Sequence, residues 1–235
     1  MQKTVLITGA NRGLGEALAR TFREAEWRVL GTARDPSAIA PETVHAAHAL
    51  DLSQIDNVHA LSRAVINAGE KIDLLINNAG FNPKDRKGDP DYFASTFKIE
   101  SFSAANVAES MAINALAPTE LVSRLLPSLA PDAVVLNISS WLGSIGGKTS
   151  GGHYGYAGSK ALLNMMTRAL AMEWKETPRA AVALNPGWMQ TDMGGAKAER
   201  TPKQTASDIL DLYRCGALHT ASGKFVNADG SEHLW

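Results

Sequence analysis

Short, wholly apolar runs alternate with longer stretches of helical period along the chain, and this alternation predicts the elements. Val5 to Ile7 reads as a buried strand, followed by a glycine-rich turn and a helix with Leu14, Leu18 and Phe22 on one face. Arg28 to Ala33 is a second strand, closed by the turn residues Asp35-Pro36-Ser37. Thr43 to Leu50, alanine-rich, is a third strand ending at Asp51-Leu52-Ser53, after which Val58, Leu61 and Val65 resume helical spacing. Ile72 to Ile76 is a fourth strand that stops at Asn77-Asn78-Ala79-Gly80, and Phe81 to about Ser101 is a polar loop with room for a short helix. Ala104 to Leu129 reads as one long helix or two nearly joined, with Pro118 as a point of kinking. Ala133 to Ile138 is a fifth strand, and the glycine-rich stretch Gly143 to Gly152 leads into a helix from about Tyr154 to Trp174. A sixth strand at Ala180 to Leu184, a helix opened by Thr201-Pro202 and a short strand at Gly223 to Val226 complete the chain. Strands separated by helices predict a single α/β domain over residues 1–235, a doubly wound parallel sheet of about seven strands with helices on both faces.

Composition narrows the function classes. Apolar residues make up 45% and charged residues 20%, which is ordinary for a globular chain. A net charge of −1 gives no electrostatic footprint for nucleic acid. The one cysteine, Cys215, precludes an intramolecular disulfide and fits a reducing compartment, and its helical pattern predicts that it is packed. No apolar run is long enough for a membrane span and no leader precedes the first strand, so the expected setting is cytoplasmic. The six histidines show no metal-ligand spacing.

Two stretches carry chemistry. In Thr8-Gly9-Ala10-Asn11-Arg12-Gly13-Leu14-Gly15, a strand runs through glycines into a helix N-terminus, which presents backbone N–H groups and a positive dipole end to a phosphate. The spacing is G-x-x-x-G-x-G, and a plain tight turn would read the same way. In Tyr156-Ala157-Gly158-Ser159-Lys160, helical spacing puts Tyr156 and Lys160 on one face. An ammonium beside a phenol favours the phenolate, so the pair is expected to have a lowered tyrosine pKa suited to interconverting carbonyl and alcohol. Ser139-Ser140 ends the fifth strand at the carboxyl edge, where open α/β sheets bind ligands. Ser140, further from the strand, is the better candidate for polarising a carbonyl, and Ser139 the better candidate for a turn residue.

These motifs occur in order with Asp51-Leu52, Asn77-Asn78-Ala79-Gly80, Asn114 and Asn185-Pro186-Gly187 with Thr191, and together the chain resembles the short-chain dehydrogenase/reductase family over its whole length. The stretch Pro186-Gly187-Trp188 through Thr191-Asp192-Met193-Gly194-Gly195 resembles C-factor/sniffer-like members, which act as carbonyl reductases or signalling-associated oxidoreductases. The resemblance implies a Rossmann-type domain. It implies that Tyr156 is the general acid/base, that Lys160 tunes it and binds the nicotinamide ribose, that Ser140 holds the substrate oxygen, and that Asn114 supports a proton relay. Gly9, Asn11, Arg12, Gly13, Leu14 and Gly15 would cradle the dinucleotide. Asp51 and Leu52 would lie near the adenine, and Asn78, Ala79 and Gly80 would line the central groove. Pro186, Gly187 and Thr191 would hold the nicotinamide end. It further implies a homodimer or homotetramer and a small carbonyl or alcohol substrate, with no nucleic-acid or membrane partner.

Cofactor choice turns on the end of the second strand, where an acidic residue binds a ribose hydroxyl and an arginine accepts a 2′-phosphate. That place falls at Ala33, followed by Arg34, and Arg12 adds a second guanidinium. Two guanidiniums favour NADP(H) over NAD(H); Asp35 would reverse the preference if it faced the ribose instead. Trp141, Trp188 and His153 are open between pocket wall and packing or loop positions. The alternatives in function are an NAD-dependent alcohol dehydrogenase and a dinucleotide-binding redox sensor with little turnover.

Overall fold

A computed structural model describes residues 2–86, 88–191 and 195–235. Seven parallel strands, β1 (Thr4–Ile7), β2 (Arg28–Ala33), β3 (Ala46–Ala49), β4 (Ile72–Asn77), β5 (Leu129–Ile138), β6 (Ala180–Asn185) and β7 (Phe225–Asn227), form one sheet in the order β3-β2-β1-β4-β5-β6-β7. The expected doubly wound α/β architecture is what the chain adopts. The order reverses between β1 and β4, and there the carboxyl ends of the strands open a crevice.

Both sheet faces are covered, which is why the strands read as continuous apolar runs. On β1, Val5 and Ile7 join the core shared with α1 (Gly13–Glu24) and α7 (Pro202–Arg214), whereas Leu6 joins the core under α2 (Ile55–Asn67), α5 (Ala117–Leu125) and α6 (Tyr154–Glu173). Phe22, fully buried, meets Trp27 edge-on at 5.0 Å and closes the first of these layers.

The structure resolves the open sequence expectations and moves some boundaries. The polar loop contains α3 (Pro90–Phe97), started by Asp89, whose side chain accepts from Tyr92 N at 2.9 Å, with Pro90 in the first turn. The long helix is α4 (Ala104–Met111), a π-helical turn (Ala112–Leu116) and α5. Pro118 lacks an N–H and crowds the carbonyl four residues earlier, and the widened turn that includes Asn114 absorbs this. The helix ends at Leu125, and β5 starts at Leu129, with a register shift opposite Ile72/Leu74 that accommodates Pro131. At the last strand, Gly223 has φ +75°, a left-handed turn conformation, so pairing begins at Phe225. Cys215 is exposed just past α7, contrary to its helical pattern. No helix among the described residues is long and apolar enough to cross a membrane. A short helix α8 (Ala217–Thr220) precedes β7.

Candidate active site

The turn after β1 is built by close backbone approach. A Cβ on Gly15 would stand 1.9 Å from Gly9 O, and one on Gly9 (φ +69°) would stand 3.1 Å from Ala79 Cα. Gly13 has φ +57°, and a Cβ there would lie 3.4 Å from Thr191 Cγ2, so Thr191 sits over the glycine turn. The α1 N-terminus carries no side-chain cap; its N-cap is Arg12. Thr8 fixes the turn to the neighbouring strand end: its Oγ1 accepts from Asn78 N and Ala79 N, both at 3.0 Å, while Asn78 Nδ2 donates to Thr8 O at 2.9 Å and Gly9 O at 3.2 Å. Thr8 was legible as part of the glycine motif, but its bracing role needed the β1–β4 adjacency.

From this turn a cleft of about 830 Å³ runs along the carboxyl edge of the sheet to Tyr156 and Lys160. Its walls hold Gly9, Asn11, Arg12, Gly13 and Leu14 at one end, with Arg34, Asp35, Asp51 and Leu52 beside them. Asn78, Ala79, Gly80, Pro186 and Thr191 line its middle. Gly15, Asn114, Ser140 and Gly187 are not in its walls. Gly15 is pressed against Gly9, and a Cβ on Gly187 (φ +80°) would meet Arg200 Cδ at 2.9 Å. Asp192, Met193 and Gly194 of the predicted nicotinamide-end stretch lie outside the described residues.

At the far end, four predicted residues converge. Asn114, 1% exposed on its π-helical turn, clamps the chain after β4: Phe81 N donates to its Oδ1 and its Nδ2 donates to Phe81 O, each at 2.7 Å. The same Nδ2 donates to Ser159 Oγ at 2.9 Å, and Ser159 Oγ donates to Tyr156 O at 2.8 Å, so Ser159 ties Asn114 to the tyrosine's helical turn. Ser159 was overlooked between Tyr156 and Lys160, although its place one turn beyond Tyr156 was a readable signal. Lys160 is 4% exposed and its Nζ donates to Ile138 O at 2.8 Å. Ser140 shares a side-chain hydrogen bond with Tyr156. Its Oγ also accepts from Leu142 N at 3.2 Å, which caps the turn Trp141–Gly143. Ser139, by contrast, is buried and donates to Asn164 Oδ1 at 2.6 Å.

The electrostatics depart from the expected lowering of the tyrosine pKa. Burial pushes the Tyr156 phenol up to about 12, opposed by the Ser140 hydrogen bond and reinforced by the Asp85 carboxylate. Burial also pushes Lys160 down to about 8. Desolvation penalises phenolate and ammonium alike. The Lys160 Nζ, 5.9 Å from the Tyr156 ring centroid and committed to Ile138 O, does not reverse this. The arrangement therefore holds a protonated phenol at neutral pH, the form that donates a proton to a carbonyl oxygen.

At the opposite end, Arg34 is exposed beside Asp35, whose Oδ1 accepts from Ser37 N at 3.0 Å and Ser37 Oγ at 2.7 Å. These bonds hold the Asp35 carboxyl below its ordinary pKa. Asp51 Oδ1 accepts from Ser53 N at 2.9 Å and Ser53 Oγ at 2.8 Å. Trp141 and Trp188 are half exposed, and His153 packs edge-on to Phe97 at 4.4 Å; none of the three is in the cleft wall.

Comparison with known proteins identifies the family of the chain. The sequence model of the short chain dehydrogenase family matches residues 3–202. The C-signal of Myxococcus xanthus is 35% identical over 167 residues, covering 70% of this chain and 93% of that protein. Among solved structures, the carbonyl reductase Sniffer of D. melanogaster superposes with a TM-score of 0.83 at 26% identity, covering 100% of both chains. An NADPH-bound carbonyl reductase from chicken fatty liver superposes with a TM-score of 0.82 at 28% identity, covering 100% of this chain and 99% of the other.

Proposed function

The chain belongs to the short-chain dehydrogenase/reductase family, and from that premise we propose that it is an NADP(H)-dependent oxidoreductase that reduces a small carbonyl compound or oxidises the matching alcohol. The observation that carries this reading is one cleft with a glycine-cradled helix N-terminus at one end and a Ser140-bonded Tyr156 above buried Lys160 at the other. A nicotinamide dinucleotide fits these residues: the glycines let the turn pack closely, α1 has no side-chain cap, and Arg12 and Arg34 line the same end of the cleft. When bound, the nicotinamide supplies or takes up the hydride.

The protein's own residues handle the proton and the positioning. Tyr156 gives its phenolic proton to the carbonyl oxygen during reduction, and Ser140 holds that oxygen by a second hydrogen bond. Lys160, fixed by Ile138 O, directs positive charge to the same place as the tyrosine loses its proton. Asn114 orders the Phe81 backbone and, through Ser159, the helical turn bearing Tyr156. Sensing alone needs no such acid/base group. NADPH consumption with a panel of aldehydes, ketones and quinones tests the reading; tight NADPH binding with no turnover of any of them would replace it with the sensor alternative.

The pH profile follows from the shifts. Reduction needs the Tyr156 proton and is supported by the Lys160 ammonium. As pH rises, Lys160 is lost first, near about 8, while Tyr156 stays protonated to about 12. The expected kcat/KM for reduction is therefore level at neutral pH and declines above about pH 8. Lys160→Met should be slow at all pH values and should lack that limb; an identical limb in the variant would remove Lys160 from the assignment.

For the cofactor, the two guanidiniums of Arg12 and Arg34 line the cleft end where a 2′-phosphate would sit, while the Asp35 carboxylate is held in place by Ser37 N and Oγ. The double variant Arg12→Ala/Arg34→Ala should lose roughly 10- to 100-fold of its kcat/KM preference for NADPH over NADH, the size of a charge-assisted hydrogen bond or two. An unchanged ratio would refute the assignment. We further propose a cytoplasmic homo-oligomer; exposed Leu116 beside α5 and Met165 and Met172 on α6 support association through these helices.

A further inference from the structure

The segment leaving β4 is rigidly placed. Phe81 is clamped by Asn114, and Asn82 begins a short helical turn, Pro83–Asp85. Asn82 Oδ1 accepts from Lys84 N at 3.1 Å, and Asn82 N donates to Asp85 Oδ2 at 3.3 Å. Asp85 therefore sits at a defined place in the wall of the cleft that ends at Tyr156.

At the Tyr156 end of that wall, the other charges are paired or buried. The Arg86 guanidinium pairs with Glu109 and stacks 3.8 Å from the Tyr92 ring centroid, and Tyr92 Oη donates to Glu109 Oε2 at 2.8 Å. Lys160 is buried and committed to Ile138 O. Asp85 has no ion-pair partner among the described residues. Lys84 and Lys148 act on His153, and neither lines the cleft wall. Among the described residues, Asp85 is thus the carboxylate near Tyr156 without an ion-pair partner, and its field reaches the phenol, where it opposes ionisation.

We propose that Asp85 is a specificity-determining residue that favours cationic and neutral carbonyl substrates and disfavours carboxylate-bearing ones. The proposal rests on the oxidoreductase reading above. A substrate whose carbonyl is held by Tyr156 and Ser140 places its remaining substituents in this wall, where a like charge costs binding and an opposite charge gains it. Asp85 is exposed, so the interaction is screened by salt.

The test compares three benzaldehydes differing only in the para substituent: trimethylammonio, carbamoyl and carboxylate. Each is assayed with NADPH and the full-length protein, parent and Asp85→Asn. The asparagine retains an oxygen for Asn82 N, so the turn persists. Relative to the carbamoyl compound, Asp85→Asn should raise kcat/KM for the carboxylate about fivefold and lower it for the cation by about the same factor, as expected for a unit charge several ångströms away at intermediate dielectric. Both changes should shrink in high salt. Equal changes for all three compounds would overturn the proposal while leaving the oxidoreductase reading intact. Failure of the parent to oxidise NADPH with any of the three, or with the wider carbonyl panel, would overturn that reading and this proposal with it.

Discussion

Replacing Tyr156 by phenylalanine is expected to cut carbonyl reduction by roughly 10²- to 10⁴-fold, the usual contribution of a positioned acid or base, with NADPH binding unchanged. The substitution removes one oxygen. It keeps the ring that packs above Lys160 and leaves the Asn114–Ser159–Tyr156 backbone chain intact, because that chain uses Tyr156 O rather than the phenol. On the proposed reading, cofactor affinity comes mainly from the other end of the cleft. Parallel kcat and NADPH titration measurements separate the two effects. Retained turnover would show that another group delivers the proton, and loss of binding would show that the phenol organises the dinucleotide site. Ser140→Ala, which also removes the cap of the Trp141–Gly143 turn, is a less clean probe of the same chemistry.

The second large effect is structural in origin and functional in outcome. Alanine is ordinarily preferred to glycine inside a helix by about 1 kcal/mol. At Gly15 in α1 that preference is overwhelmed, since the added methyl would lie 1.9 Å from Gly9 O and 2.7 Å from Asn78 Nδ2. Neither the carbonyl nor the amide can yield without breaking the Thr8–Asn78 brace. The expected cost for Gly15→Ala is about 3 kcal/mol, a Tm drop of roughly 6–12 °C, together with loss of NADPH binding. Gly151→Ala is the control: nothing lies within 4 Å of its added Cβ and its φ is not left-handed, so thermal melting and NADPH titration should both match the parent. A Gly15→Ala protein that melts and binds as the parent does would mean that the turn does not pack as described.

The sequence made legible what local chemistry determines. Apolar runs located the strands because a doubly covered parallel strand has no polar alternation to obscure it, as Val5, Leu6 and Ile7 illustrate by facing opposite cores. Glycine spacing located the cradle, and helical spacing put Tyr156 and Lys160 on one face. The hydroxyls of the two serines part company only through packing: Ser140 bonds Tyr156 and Ser139 bonds Asn164. What escaped depended on distant partners. The π-helical turn at Asn114 arises from Pro118 acting within a packed helix, and the bounds of the short helix in the polar segment, set by its Asp89-Pro90 start, were not read. The direction of the Tyr156 pKa was misread because neighbour charge is visible in sequence while burial is not. Lys160 acts against Ile138 O, a partner 22 residues away in sequence that only the packing of α6 on β5 supplies.

The central claim is that the cofactor cradled at Gly9–Gly15 reacts directly with a carbonyl held at Tyr156. NADPH deuterated at the transferable position of the nicotinamide, incubated with the protein and an aldehyde it reduces, tests this by mass spectrometry of the alcohol. The expected result is deuterium in the alcohol at the former carbonyl carbon for the parent protein and almost no alcohol for Tyr156→Phe. Alcohol without deuterium, or equal labelled product from both proteins, would contradict the account.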